Sequence, residues 1–179
     1  MRARRNLALL PLILLSILSG APAVAANVYQ VEMIVFRQAG EALPTSQTAP
    51  DDWAKGAQPI DPTQERVTAL GSQAEKLNPA NGYQVLLHQA WAQELGSEAS
   101  SVALHSGNPR FGHYPIEGTL SLVQARYIDL TVDLWINRFD ESGLLISSER
   151  LKQGSRLQTG KLTYLDHGNL GVLIRINNL

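Results

Sequence analysis

The sequence predicts an α+β fold in which a mainly antiparallel β-sheet of about six strands carries one amphipathic helix packed on one face. Residues 115–123 and 126–137 predict the sheet, because apolar and polar side chains alternate there with the two-residue period of a half-buried strand. Residues 61–78 predict the helix, because apolar side chains recur there at helical spacing. Several strands with one helix are typical of the α+β class.

The first 25 residues have the pattern of a cleavable export signal. Three arginines precede an apolar run over residues 7–19, and residues 23–25 (Ala-Val-Ala) match the small-x-small pattern of a signal peptidase site. The run is shorter than the ~20 residues that a membrane-crossing helix needs. We therefore expect export into a bacterial cell envelope, with the periplasm favoured and no membrane anchor after cleavage. An uncleaved anchor is the alternative.

The composition excludes several classes of function. The chain has 15 Lys+Arg and 16 Asp+Glu, and three of the arginines lie in the signal, so residues 26–179 carry 12 against 16, a formal charge of −4. A mildly acidic chain without a basic run predicts no nucleic-acid partner. The chain has no cysteine, which excludes disulfides, lipidation at cysteine and cysteine metal sites. Residues 26–179 are enough for a single domain with its own core.

The first half of this domain contains a strand, a loop and the helix. Residues 28–38 predict an inner strand, because both of its faces are apolar. Residues 39–60 are small, polar and proline-containing, and they predict a long surface loop. Asp61 is suited to cap the helix with Gln64 as its capping-box partner, and Pro79 is expected to end the helix. The predicted apolar face of the helix consists of Val67, Leu70, Ala74 and Leu77.

The second half predicts strands. Residues 82–93 are compatible with a strand or a helix, and aromatic and β-branched residues at alternating positions favour a strand with Trp91 in the core. If residues 115–123 and 126–137 pair as a hairpin, Leu120 and Ile128 must share a face, because a one-residue slip would expose Ile128. Three further strands are predicted at residues 144–157, 161–164 and 170–176.

Motifs of common catalytic sites are absent from the sequence. It contains no nucleophile elbow and no phosphate-binding glycine loop, and its four histidines lack the spacing of metal ligands. A metal site on the loop that contains His105 and His113 is the less favoured alternative. Asp129 and Asp133 lie ~13 Å apart along their strand, which is too far for a glycosidase pair. The Asp-His-Gly sequence at residues 166–168 predicts a tight turn. We therefore predict a non-enzymatic protein without a cofactor or metal.

The outward face of the strand at residues 126–137 is the candidate binding surface. It combines two aromatic rings with short hydrogen-bonding groups, in the order Tyr127, Asp129, Asp133, Trp135 and Asn137. Such a surface suits a polar polymer, with the rings covering sugar faces and the polar groups bonding hydroxyls or amides. In the alternative, a loop or the helix covers Trp135, which then only packs.

The long loop carries a candidate contact for a protein partner. Trp53 lies between Asp52 and Lys55 in this loop, and an aromatic side chain in a polar surface segment is suited to contact another protein. The alternative is that Trp53 only packs against its own domain.

Four segments of the chain together resemble a known family. They are, in order, YQVEMIVFRQ (29–38), GYQVLLHQAW (82–91), EGTLSLVQARYIDLTVDLW (117–135) and YLDHGNLGVLIRI (164–176). Their order and spacing resemble the CsiV family, periplasmic peptidoglycan-binding proteins of Gram-negative bacteria. One departure is Gly168-Asn169-Leu170, where a proline and a phenylalanine are expected, and this puts the shape of that turn in doubt.

The resemblance implies a non-enzymatic envelope protein that binds peptidoglycan and supports cell-wall assembly. It further implies action with the outer-membrane lipoprotein that activates a bifunctional penicillin-binding protein. The alternative is a protein–protein adaptor of that machinery with little direct wall binding. The resemblance supplies no ligand-binding residues, so the candidate residues rest on the strand-face argument alone.

Overall fold

The computed structural model describes residues 27–40 and 43–179, and the predicted export signal lies outside these residues. In the described part of the chain, no helix is long and apolar enough to cross a membrane. These residues form a short helix, α1 (Gly71–Lys76), a 3-10 turn (Pro79–Asn81) and nine strands: β1 (Asn27–Gln38), β2 (Gln58–Pro59), β3 (Tyr83–Leu95), β4 (Ser100–Ser106), β5 (Ile116–Gln124), β6 (Ile128–Phe139), β7 (Leu145–Leu157), β8 (Leu162–His167) and β9 (Leu170–Asn178).

The strands form two sheets rather than one. One sheet has the order β3-β1-β9-β8 and the other the order β2-β4-β5-β6-β7, and every pairing is antiparallel except the short β2–β4 contact. The main hydrophobic core combines buried side chains from both sheets. The predicted antiparallel β character is confirmed, whereas the single sheet of about six strands is wrong. Each apolar sheet face buries itself against the other sheet, so no large helix is needed to cover it.

Strand β1 is buried on both faces, which confirms the predicted inner strand. Val31, Met33 and Val35 point into the core between the sheets. Ile34 and Phe36 point to the opposite side, into a second cluster that Leu70 and the apolar side of α1 cover. The alternating apolar residues of β1 therefore serve two separate cores.

The predicted helix over residues 61–78 is reduced to the six residues of α1. The capping pair does form, since the Asp61 backbone N–H donates to Gln64 Oε1 at 2.8 Å. The chain then turns extended, because the Arg66 N–H donates to the Ala90 carbonyl of β3 at 2.8 Å. Val67, predicted on the apolar face, is 86% exposed. Hydrogen bonds to an open sheet edge thus override local helix propensity.

Glu32 of β1 accepts the backbone hydrogen bonds that fix the start of α1. Its carboxylate is 2% exposed, and its Oε1 accepts hydrogen bonds from the backbone N–H groups of Ala69 at 2.8 Å and Leu70 at 2.7 Å. His88 Nε2 lies 2.8 Å from the same oxygen, and Arg175 lies 3.5 Å from the other. This buried carboxylate therefore fixes the position at which the chain enters the helix.

Residues 58–66 close the open side of the two sheets. Strand β2 pairs with β4 of the five-stranded sheet, and Glu65 forms a bridge with Trp91 of β3 in the four-stranded sheet. The same short segment therefore satisfies backbone groups on both edge strands, which would otherwise be open to pairing with another chain.

The predicted strand at residues 82–93 is confirmed as β3, and Trp91 is fully buried. The β5–β6 register is also confirmed, since Leu120 pairs with Val132 and Gln124 pairs with Ile128. Leu120 and Ile128 therefore share the inward face, as burial of the apolar set requires.

Candidate functional site

The outward side of the five-stranded sheet is the candidate binding surface. Directly paired residues of neighbouring strands share a face, so the register defines which side chains point outward. Four rows cross strands β4 to β7. They are His105–Glu117–Trp135–Arg150, Ala103–Thr119–Asp133–Lys152, Ser101–Ser121–Thr131–Gly154 and, on three strands, Val123–Asp129–Arg156.

The middle of this surface is a strip of small hydroxyl side chains. It consists of Ser101, Thr119, Ser121 and Thr131, and we call it the hydroxyl strip. Ser101 Oγ donates to Ser121 Oγ at 2.9 Å, and both side chains are half-buried, while Thr131 is exposed. Hydroxyl groups both donate and accept hydrogen bonds, so the strip is suited to polar ligands of mixed hydrogen-bonding character.

At one end of the strip, Asp133 is held by two cations. Arg150 binds it through two 2.7 Å hydrogen bonds, and Lys152 Nζ lies 3.2 Å from Oδ2. Burial alone would raise the pKa of the Asp133 carboxyl, but the bonds from Arg150 and Lys152 outweigh it and hold that pKa below its ordinary value. Asp133 is therefore an ionised, positioned acceptor rather than a group that exchanges protons at neutral pH.

Trp135 does not present an open ring. It is 6% exposed, and the Arg150 guanidinium lies over the ring, 4.6 Å from its centroid. The sequence-based alternatives were an open ring or a ring covered by a loop or the helix. The ring is not open, and one group that covers it is an arginine from the adjacent strand, bound by a cation–π contact. A sugar could stack on Trp135 only if Arg150 moved away.

At the other end of the strip, Tyr127 is the exposed aromatic residue. It is 43% exposed, and two guanidinium groups contact its ring, that of Arg126 at 5.5 Å and that of Arg156 at 4.5 Å from the ring centroid. Arg156 Nε also donates to Asp129 Oδ1 at 3.2 Å. Tyr127 and Asp129 are therefore brought together at this end, whereas Asp133 and Trp135 lie at the opposite end.

Asn137, the remaining predicted residue, belongs to a buried polar network. Its amide donates to Glu117 Oε1 at 2.7 Å and to the Tyr114 carbonyl at 2.8 Å, and its Oδ1 accepts from Ser148 Oγ at 2.6 Å. Ser148 Oγ in turn accepts from the Ala49 N–H at 2.9 Å. Asn137 thus ties the predicted long loop to β6 and β7, and its hydrogen-bonding groups are already used inside the protein.

Glu117 is the centre of this network. The side chain is fully buried and accepts hydrogen bonds from the Tyr114 N–H at 2.7 Å and from the Asn137 amide. His113 Nδ1 lies 2.7 Å from Oε1, and its Nε2 lies 3.3 Å from the exposed Asp51. Burial lowers the pKa of His113, but Glu117 and Asp51 outweigh it, so the net pKa is raised above 6.5.

The raised His113 pKa predicts a pH-dependent stability. The stabilisation from the protonated ring is complete below pH 6.5, the ordinary pKa of histidine. It is lost as the pH rises through the raised pKa of His113 in the folded state. We expect the free energy of unfolding of the wild type to fall over that window relative to a His113→Asn variant, whose amide still donates to Glu117. Urea titrations at a series of pH values measure this, and parallel curves for the two proteins would contradict it.

Trp53 lies in a small aromatic cluster rather than standing free. The centroid of its ring is 5.9 Å from that of Tyr114 and 6.4 Å from that of His105, and both contacts are edge-on. The rings of Tyr114 and His105 stack on each other with centroids 4.1 Å apart. The side chain is half-buried, so part of it still faces solvent. Contact with a partner through Trp53 stays a prediction.

The sequence reasoning missed the cations of β7. Arg150, Lys152 and Arg156 occupy alternating positions of the predicted strand at residues 144–157. They all face outward and all bind the aspartates of β6. The sequence does contain a signal for these ion pairs. The cations at alternating positions of one strand match the aspartates at alternating positions of the preceding strand, as expected for charged neighbours across a β-hairpin.

The segment that follows Asp166-His167 is a tight turn, as the sequence predicts. Gly168 and Asn169 form the two-residue turn between β8 and β9, with Gly168 at φ +64°, which confirms the predicted tight turn after Asp166-His167.

In the part of the chain that the structure describes, no group of three or more His, Asp or Glu side chains is arranged to hold a metal ion.

Comparison with known proteins identifies one family. A family model described as "Peptidoglycan-binding protein, CsiV" matches residues 7–70 and 58–179, which together span almost the whole chain. No curated protein matches the chain, and no solved structure matches it.

Proposed function

Because the chain belongs to the CsiV family of peptidoglycan-binding proteins, we propose that it is a non-enzymatic accessory protein of the periplasm that binds peptidoglycan and supports cell-wall assembly. In this proposal the hydroxyl strip and its two charged ends form the binding surface. The observation that carries the assignment is the strip itself, an outward sheet surface of small polar side chains between two clusters of ion pairs.

The chemistry of the strip matches the polymer. Glycan strands present hydroxyl and N-acetyl groups, and stem peptides present carboxylates and amines. Serine and threonine hydroxyls pair with the former, and exposed charged groups such as Asp129, Lys152 and Arg156 pair with the latter. The two aspartate positions are ~13 Å apart along β6, so a ligand that spans the strip contacts both ends. Tyr127 offers an exposed aromatic edge at one end.

Lengthening the side chains of the strip is expected to weaken binding. In the double variant Ser121→Gln/Thr131→Gln, two long amides fill the space above the small hydroxyls and displace any ligand lying on them. We expect at least a roughly tenfold loss of affinity, equivalent to about 1.4 kcal/mol, in co-sedimentation of the mature protein with purified sacculi.

The matched control is Ser97→Gln/Thr159→Gln, which makes the same changes at two exposed turn positions away from the strip. This control should pellet with sacculi like the wild type. Equal pelleting of both double variants, with unchanged melting temperatures, would exclude the strip as the binding surface. No pelleting of the wild type would exclude peptidoglycan binding altogether.

A second candidate function is that of an adaptor for the penicillin-binding-protein and lipoprotein-activator machinery. The observation in its favour is Phe111, which is 77% exposed and has a φ of +49°, unusual for a bulky residue. Its ring lies against Gly143, beside the exposed Leu144. Trp53 Nε1 donates to the carbonyl of the next residue, Gly112, at 3.4 Å, so the loop with Trp53 supports this site.

Replacing the exposed ring tests the adaptor function. We expect Phe111→Ala to weaken capture of the purified lipoprotein activator about tenfold while sacculus binding stays unchanged, because an exposed aromatic residue can dominate a protein interface. Val67→Ala, at another exposed apolar position, is the control. Equal capture of the activator by all three proteins would reject Phe111 as the contact.

A further inference from the structure

A small cavity lies next to the Trp135 end of the outward sheet surface. Its volume is about 250 Å³, and its wall includes Leu43, Glu149, Arg150, Asn169 and Leu170. Arg150 therefore belongs both to this wall and to the cover of Trp135. The cavity is smaller than the roughly 300–1,000 Å³ of sites for drug-sized ligands. It is thus suited to the end of a chain rather than to a disaccharide.

Asn169 is the feature of the wall that indicates a ligand. The residue is 8% exposed, and its Nδ2 has no hydrogen-bond partner among the residues that the structure describes. A buried donor without a partner is destabilising. Such a group needs an acceptor, and an acceptor oxygen of a ligand in the cavity would supply it.

The charges around the cavity favour an anion. Glu149 is already paired with Arg37, whose Nη2 lies 2.6 Å from Oε1. Arg150 and Lys152 share the single carboxylate of Asp133. These two groups of ion pairs, which include the wall residues Glu149 and Arg150, contain three cations and two carboxylates. They therefore carry one positive charge in excess, which would attract a nearby carboxylate. The apolar part of the wall comes from Leu43 and Leu170.

We propose that this cavity binds the terminal D-alanine of a peptidoglycan stem peptide. The carboxylate accepts a hydrogen bond from Asn169 Nδ2 and faces the Arg150 guanidinium, while the methyl group contacts Leu43 and Leu170. The inference rests on the proposed peptidoglycan binding. It deepens that proposal, because it assigns the stem peptide to the cavity and the glycan strand to the adjacent hydroxyl strip.

The test compares two soluble probes by titration calorimetry. One is a stem pentapeptide that ends in D-alanyl-D-alanine with a free carboxylate, and the other is the same peptide with a C-terminal amide. We expect the acid to bind at least about tenfold more tightly than the amide. The Asn169→Asp variant should lose at least about tenfold in affinity for the acid, because its carboxylate repels that of the ligand. Asn178→Asp, the same change at an exposed position, should bind like the wild type.

An Asn169→Ala variant separates binding from folding. It removes the unpaired buried donor, so its melting temperature should equal or exceed that of the wild type while its affinity for the acid falls. The inference is overturned if the wild type does not bind the acid, if acid and amide bind equally, or if both Asn169 variants bind like the wild type. In each of those cases, wild-type pelleting with sacculi would leave the proposed function standing, and absence of pelleting would remove both.

Discussion

A Gly118→Ala variant is expected to be strongly destabilised. A Cβ at this position would lie 2.1 Å from the Asp133 carbonyl oxygen and 2.7 Å from Leu134 Cα, and both are backbone atoms of the paired strand. Gly118 also has a φ of +151°, a conformation that residues with a side chain rarely adopt. Overpacking costs about 1–3 kcal/mol and backbone strain a similar amount. We therefore expect a loss of about 2–6 kcal/mol in the free energy of unfolding.

Chemical denaturation of the purified variant measures this loss. Gly154→Ala is the matched control, because Gly154 lies in β7 of the same sheet and its added Cβ would be 3.4 Å from the Leu130 carbonyl oxygen. A change within about 1 kcal/mol is expected there, since alanine also limits the unfolded chain more than glycine does. If Gly118→Ala were as stable as Gly154→Ala, the close approach of β5 and β6 would be wrong.

Removing the Glu117 carboxylate is expected to have the second-largest effect. In Glu117→Ala, the His113 ring, the Tyr114 N–H and the Asn137 amide lose their common acceptor in a buried site. Breaking a buried charge pair from one side costs about 3–5 kcal/mol. Glu117→Gln keeps an acceptor but removes the charge, and a smaller loss of about 1.5–3 kcal/mol is expected.

Two further measurements separate this network from a general loss of packing. Glu98→Ala, which removes an exposed carboxylate in the β3–β4 turn, should change stability by less than about 0.5 kcal/mol. Glu117→Ala should also weaken the pH dependence expected for His113, because Glu117 is the largest cause that raises the pKa of His113. If the glutamine variant were as stable as the wild type, the charge of Glu117 would contribute little.

The two ends of the outward sheet surface differ in what they offer a ligand. At one end Asp133, Arg150 and Trp135 hold one another, so a ligand meets a rigid, already paired cluster. At the other end the Asp129–Arg156 pair is largely exposed, and exposed pairs contribute little to stability. Breaking the exposed pair to bind a charged group of the polymer therefore costs little.

Much of the strand pattern follows from sequence alone, because alternation records which side chains are buried. The alternation over residues 126–137 identifies β6, its inward face and its register with β5, and all three are confirmed. The apolar faces of residues 28–38 likewise identify β1 as an inner strand. The same alternation does not show how many sheets the strands form, because a strand buried against a helix and one buried against a second sheet have the same period.

The short helix shows where local signals fail. The capping pair at Asp61 and Gln64 forms as predicted, yet the following residues pair with β3 instead of continuing as a helix. Propensity differences between these states are a few tenths of a kcal/mol per residue. Hydrogen bonds to an unpaired sheet edge exceed that, and no local pattern records that the edge is open.

The sequence by itself determined seven of the nine strands of the described residues, all but β2 and β4. It also determined the buried face of β6 and the outward row of polar residues on that strand, because both depend on residues two positions apart. Only the tertiary structure showed that the strands form two facing sheets, where the sequence predicts one sheet. It also showed that the long predicted helix is reduced to the short helix α1. It also decided that Arg150 covers Trp135 and that Asn137 is used within the protein. Those outcomes depend on contacts between strands distant in sequence, whose geometry no local period encodes.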